Sequence, residues 1–298
     1  MIQINSNPAI KQGWLRAILI IIPFIIFTIT FLLLGKFIGN LILDSLMNES
    51  TVSQEIISKS KMLFSQFFGT IGTLLIVWIF TRFIDRKKLI DLGFSLKNRG
   101  KDILYGLLAG SLLIGIGFGI LWINGNLTIT NINFNLFNLF QSVLIFCFVS
   151  LNEEVIVRGY ILPNFMDSMN RYLALILSSL IFTALHLMNP NVSFLGITNI
   201  FLAGILLGIG YIFTKNLWFP LALHFSWNFF QGPIFGFEVS GTESDTLISQ
   251  TITGNEILTG GKFGFEGSLL ASILCTACII LFWFIYKKQD YKLLKPTR

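Results

Sequence analysis

Long apolar runs separated by short polar connectors set the pattern of this 298-residue chain. Runs of about twenty apolar residues fall at roughly 14–35, 62–82, 103–123, 137–166, 172–188, 196–213, 217–235 and 267–286. An α-helix needs about 20 such residues to cross the hydrocarbon core of a bilayer. The pattern therefore predicts an all-α fold, a polytopic transmembrane helix bundle of about eight spans, the fourth unusually long. The first run, Trp14 to Leu34, is too long for the apolar part of a cleavable signal and lacks a small-residue cleavage site after it. It reads as the first span. No internal repeat or polar insert of domain size interrupts the series, which predicts a single integral-membrane domain over 1–298 with its chemistry at about 137–235. The Gly-, Thr- and Ser-rich stretch from Gly236 to Glu266 reads as a solvated connector, with a lid as the alternative. The Asn-rich, uncharged Asn124–Asn135 reads as an outer turn.

Composition agrees with the pattern. The chain is 54% hydrophobic and 12% charged, where a soluble domain carries about a quarter charged residues. A net charge of +6 could suggest nucleic acid, but the positions of the charges argue against it. Lys11 and Arg16 precede the first run; Arg82, Arg86, Lys87, Lys88, Lys97, Arg99 and Lys101 lie between the second and third; Lys287, Lys288, Lys292, Lys295 and Arg298 follow the last. If the spans alternate, all of these fall on one side, which the orientation rule makes cytoplasmic, with both termini inside. The other side carries most of the loop acids, among them Asp44, Glu49, Glu238, Glu243, Asp245, Glu256 and Glu266. The three cysteines, Cys147, Cys275 and Cys278, sit in apolar runs and suggest helix packing rather than a disulfide framework.

The polar residues inside the apolar runs carry the candidate chemistry. Asn152-Glu153-Glu154-Val-Ile-Val-Arg158-Gly159 places two carboxylates and a guanidinium in the fourth run. Each such charge costs about 2.5–3.5 kcal/mol at the centre of a membrane span, which makes the cluster a functional-site candidate. Successive helix residues turn by about 100°, so Glu154 and Arg158 stack four apart while Glu153 points away, toward another helix. The chain's two histidines both lie in apolar runs, His186 ending Phe182-Thr-Ala-Leu-His186 and His224 opening His224-Phe-Ser-Trp-Asn228. Glu153 and His186 are each about sixteen residues from the turn near Met169-Asn170, which predicts similar depth for the two. His224 and Asn228, four apart, share a helix face. A proton-coupled transporter could use such a cluster, but the chain lacks the repeated halves that fold class uses.

Glu-Glu-x-x-x-Arg, Phe-x-x-x-His and His-x-x-x-Asn, in this order on successive apolar runs, resemble the CPBP family of intramembrane proteases (CAAX protease and bacteriocin-processing, or Abi), which includes the type II CAAX prenyl endopeptidases. The resemblance covers about Asn152 to Asn228. It implies an intramembrane endopeptidase acting on a membrane-associated peptide or protein, in the plasma membrane of a bacterium. It implies Glu153 as the base that activates water, His186 as a holder of that water, His224 and Asn228 as oxyanion stabilisers, and Glu154 and Arg158 as the pair that keeps the first motif in shape. The favoured reading needs no cofactor. A zinc ion, were one used, would fall to Glu153, His186 and His224. A non-catalytic immunity or partner-handling role in the membrane is the alternative.

Overall fold

The computed structural model describes residues 7–46 and 54–294; Glu49, Lys295 and Arg298 lie outside them. Among the described residues the chain is mostly helical. Six helical segments among the described residues are long and apolar enough to cross a membrane: Gly13–Ser45, Ile56–Ile84, Gly100–Ile123, Leu136–Met166, Phe194–Thr214 and Leu269–Lys288. Two of the apolar runs form shorter helices. The fifth becomes α7 (Arg171–Leu185, 15 residues). The seventh becomes α9 (Trp218–Phe229, 12 residues), which continues as a π-helical turn over Phe230–Ile234 around Pro233.

Contacts divide the chain into two compact units, one made of Met1–Ser95 with Leu136–Met169, the other of Leu96–Asn135 with Asn170–Arg298. The division falls at Met169/Asn170, inside the motif-bearing stretch.

In the first unit the initial apolar run breaks into α1 (Gly13–Leu19) and α2 (Ile21–Leu46). Pro23 has no N–H to give the Leu19 carbonyl, so the helix is interrupted there and restarts with Phe24 N–H on Ile20 O at 2.8 Å. α2 packs along α3 (Gln54–Ile79), which extends as a π turn over Phe80–Ile84. The backbones approach closely because the contacts are small. A Cβ on Gly35 would lie 2.6 Å from the Phe64 carbonyl oxygen. The fourth run is long because it is three pieces: α5 (Leu136–Glu154), a seven-residue π segment Val155–Ile161, and α6 (Leu162–Met166) with Pro163 in its first turn. At one end of this unit the buried Arg16 donates to Asp85 at 2.6 Å and to Asp167 at 2.8 Å. The start of the first segment, the end of the second and the end of the fourth therefore meet.

In the second unit α4 (Gly100–Ile123) packs on α9, and α8 (Phe194–Thr214) packs on both α7 and α11 (Leu269–Leu294). Tyr286 Oη donates to Asp102 at 3.0 Å, so the start of α4 and the far end of α11 also share an end.

Two expectations need correction here. The fold is not purely α, because Leu127–Ile132 (β1) and Ile248–Ile252 (β2) pair antiparallel, from Leu127 opposite Ile252 to Ile132 opposite Ile248, with a register shift at Thr130. The alternating, β-branched Leu-Thr-Ile-Thr is a strand signal that the density of asparagine hides. Nor is Gly236–Glu266 a solvated connector. Phe237, Phe263 and Phe265 are buried within it, and β2 and the short helix α10 (Glu256–Thr259) belong to it. Gly264 closes it with φ 89°, where a Cβ would collide with the Glu238 carbonyl oxygen.

Candidate active site

The first motif sits where α5 gives way to the π segment. Glu153 and Glu154 are the last two α-helical residues, and Arg158 lies inside the wider turns that follow. π turns, bonded i to i+5, are uncommon and recur at functional sites. The stacking expected of Glu154 and Arg158 is present. Arg158 donates to Glu154 Oε1 at 2.8 Å, with the two side chains 0% and 1% exposed. Glu153 is half-buried. Asn152, just before it, accepts from Thr73 Oγ1 of α3, and Thr73 in turn shares a 2.8 Å hydrogen bond with Thr28 of α2. Three helices of the first unit thus hold the residue adjoining Glu153. The sequence signal for this was an asparagine in an apolar run.

His186 is not within a helix, as the run 172–188 would have it, but caps the end of α7. Its backbone N–H turns back to Thr183 O, which releases the Phe182 carbonyl, and His186 Nδ1 meets that oxygen at 2.8 Å. A carbonyl only accepts, so Nδ1 carries the proton and Nε2 is the acceptor nitrogen of the neutral ring. A helix terminus has thereby set the tautomer.

α9 carries the third motif on a buried face, His224 7% and Asn228 5% exposed. Its close seat on α4 depends on missing side chains. A Cβ on Gly106 would lie 2.6 Å from the Phe219 carbonyl oxygen, and one on Gly110 2.6 Å from Trp227 N. Ser226 Oγ donates to the Gly106 carbonyl at 3.2 Å. The second and third motifs meet at Phe182. Its ring lies 4.5 Å from the His186 ring centroid and 6.3 Å, edge to face, from that of His224. Both histidines of the chain are therefore gathered on one aromatic side chain.

Four residues outside the motif positions belong to this surrounding. Trp227, between His224 and Asn228, donates Nε1 to Glu266 Oε1 at 2.9 Å, and Glu266 Oε2 accepts from Ser240 N and Oγ at 2.8 and 2.7 Å. Asn199 of α8 donates to the carbonyls of Glu266 and Ser268 at 2.7 and 2.8 Å. Glu266 reads in the sequence as one more loop acid, and nothing local marks it otherwise. The three cysteines are free thiols. Among the described residues, no group of three or more His, Cys, Asp or Glu side chains is placed to hold a metal ion.

A family model described as type II CAAX prenyl endopeptidase Rce1-like matches residues 134–230. Glu153, Glu154, Arg158, His186, His224 and Asn228 all lie within the match. No curated protein and no solved structure matches the chain.

Proposed function

We propose that this chain is an intramembrane endopeptidase of the CAAX-protease type, hydrolysing a peptide bond in a membrane-associated peptide or protein. The observation that carries the reading is the Phe182 ring against both histidines, in a stretch that matches a protease family model. In this reading Glu153 takes a proton from a water molecule that His186 holds through Nε2. The hydroxide oxygen adds to the scissile carbonyl carbon, and the charge on the carbonyl oxygen is met by N–H donors of His224 and Asn228. Such donors, fixed in a water-poor site, are worth about 2.7–4 kcal/mol each. Collapse of the tetrahedral intermediate breaks the C–N bond, and the proton held by Glu153 passes to the leaving nitrogen. Glu154 and Arg158 neutralise each other and keep the segment in shape. No step is assigned to a metal. The orientation with both termini in the cytoplasm of a bacterial cell belongs to the same proposal and rests on the loop charges.

The test uses purified protein in lipid with quenched membrane-anchored peptides, some ending in a prenylated Cys-aliphatic-aliphatic-X sequence. Cleavage by the wild type that is lost in Glu153→Ala, His186→Ala and His224→Ala and unaffected by a chelator is the expected result. No cleavage by any form, with Glu153→Ala folded and still functional in cells, would overturn it in favour of an immunity or partner-handling role.

A further inference from the structure

Glu266 is placed like a loop acid, yet its backbone has no freedom. It lies in a tight turn over Phe265–Gly267. Phe265 in that turn is 0% exposed, and its ring fills the space that a Cβ on Gly117 of α4 would take. Cβ atoms on Gly264 and Gly267 would run into the carbonyl oxygens of Glu238 and Gly260. The Asn199 amide of α8 bonds the carbonyls of Glu266 and Ser268, and its own Oδ1 accepts from Ser272 Oγ of α11 at 2.6 Å. The carboxylate therefore projects from a fixed point.

The three groups that meet this carboxylate, Trp227 Nε1, Ser240 N and Ser240 Oγ, all donate to it. Trp227 is 4% exposed. It comes three residues after His224 and one before Asn228, so at about 100° per residue it leaves α9 about 60° from the histidine and about 100° from the asparagine. Ser226, about 100° around from Trp227, donates to the Gly106 carbonyl of α4. α9 is 12 residues long and starts without a side-chain cap. Hydrogen bonds at two points of its circumference thus oppose its rotation, one to α4 and one to Glu266. Rotation matters because a misplacement of about 1 Å in a catalytic group can cost about a hundredfold in rate.

We infer that Glu266 is a positioning residue, whose carboxylate acts through Trp227 to set the rotation of α9 and with it the placement of His224 and Asn228. The consequence for turnover rests on the endopeptidase reading. The placement itself is open to measurement without turnover.

The chain has two histidines, so the protein in lipid with nitrogen-15 histidine gives two sets of imidazole signals, assigned with His186→Ala. Glu266→Gln and Trp227→Phe should each move the His224 signals more than those of His186, and Ser240→Ala, which removes only one of the three donors, should move them less in the same direction. Ser240→Ala decides the matter if the other two fail to fold. In the cleavage assay Glu266→Gln and Trp227→Phe should each lower kcat about ten- to a hundredfold with KM within about threefold, and the double variant should fall no further than the worse single one. In an Asn228→Ala background the loss from Glu266→Gln should shrink, because one of the groups it places is gone. His224 signals that stay put in the folded variants, a loss confined to KM, or an undiminished loss in the Asn228→Ala background overturns the inference. If the wild type cleaves nothing, the endopeptidase reading falls and the His224 signals alone decide the placement.

Discussion

Trp227 of α9 and Glu266, just ahead of α11, are joined by a 2.9 Å hydrogen bond from indole Nε1 to a carboxylate oxygen. The other carboxylate oxygen takes both hydrogen bonds of Ser240. The helix that holds His224 and Asn228 is thereby tied to the segment Gly236–Glu266. Hydrogen bonds to charged groups contribute about 1.5–3 kcal/mol. Glu266→Gln turns donors toward donors at one of these contacts and should lower stability by about 1–3 kcal/mol. Trp227→Phe should cost a similar amount, and the double variant should cost less than the sum. Thermal unfolding of the four proteins measures the coupling, and strict additivity would sink the claim.

The adjacent glutamates should behave oppositely. Removing one member of a buried ion pair costs about 3–5 kcal/mol because the other charge stays behind. Glu154→Ala strands Arg158, which is 1% exposed, and should lower the melting temperature sharply. The paired replacement Glu154→Leu with Arg158→Met should recover much of it. Glu153→Ala, at a half-buried residue, should leave stability within about 1 kcal/mol and abolish cleavage. A melting curve and a cleavage assay on each variant decide this. Equal destabilisation by the two single alanines would contradict the assignment.

A methyl group at Gly110 has nowhere to go. It would stand 2.8 Å from Leu223 O and 2.6 Å from Trp227 N, and would strike Ser226 Oγ. Backbone cannot give as a flexible side chain can, so Gly110→Ala should cost about 1–3 kcal/mol and displace the third-motif helix, lowering cleavage. Gly119, on the same helix, has nothing within 4 Å of its would-be Cβ. Gly119→Ala should be neutral or gain about 0.5–1 kcal/mol from helix propensity. Similar melting temperatures for the two would refute this account of how α4 and α9 pack.

Asp85 gives a pH dependence outside the spans. Burial pushes its carboxyl above the usual carboxylate value, and burial outweighs the pull of Arg16 and Lys87. A carboxyl held higher in the folded state than in the unfolded one binds its proton more tightly when folded. Its contribution is therefore complete below the ordinary value near 3.8 and is lost as pH rises through the folded value. Wild type should gain in stability relative to Asp85→Asn as pH is lowered from 8 toward about 5. Melting temperatures of the two proteins across that range check the sign, and a gap that shrinks on acidification contradicts it.

Much of the polar chemistry was legible before any fold. Glu154 and Arg158 form their pair because i,i+4 neighbours stack on a helix whatever surrounds it. His224 and Asn228 share a buried face for the same reason. The boundaries of the runs at 103–123 and 196–213 agree closely with Gly100–Ile123 and Phe194–Thr214, since a strongly apolar run leaves a chain little else to form. The runs that broke did so at proline or at π turns, whose hydrogen bonding depends on neighbours more than on local pattern. The strand pairing of Leu127–Ile132 with Ile248–Ile252 joins segments more than a hundred residues apart, a distance no periodicity can bridge.

Sequence alone determined that the chain is helical and apolar enough to enter a membrane, where its charges cost most, and which carboxylate pairs with the arginine. All of these follow from composition and from the turn of a single helix. Only the tertiary structure decided that His186 caps a helix with Nδ1 on the Phe182 carbonyl, that Phe182 gathers both histidines, and that Glu266 belongs with the third motif. Those relations depend on where separate helices and loops come to rest, and that is set by packing between segments, which local spacing does not encode.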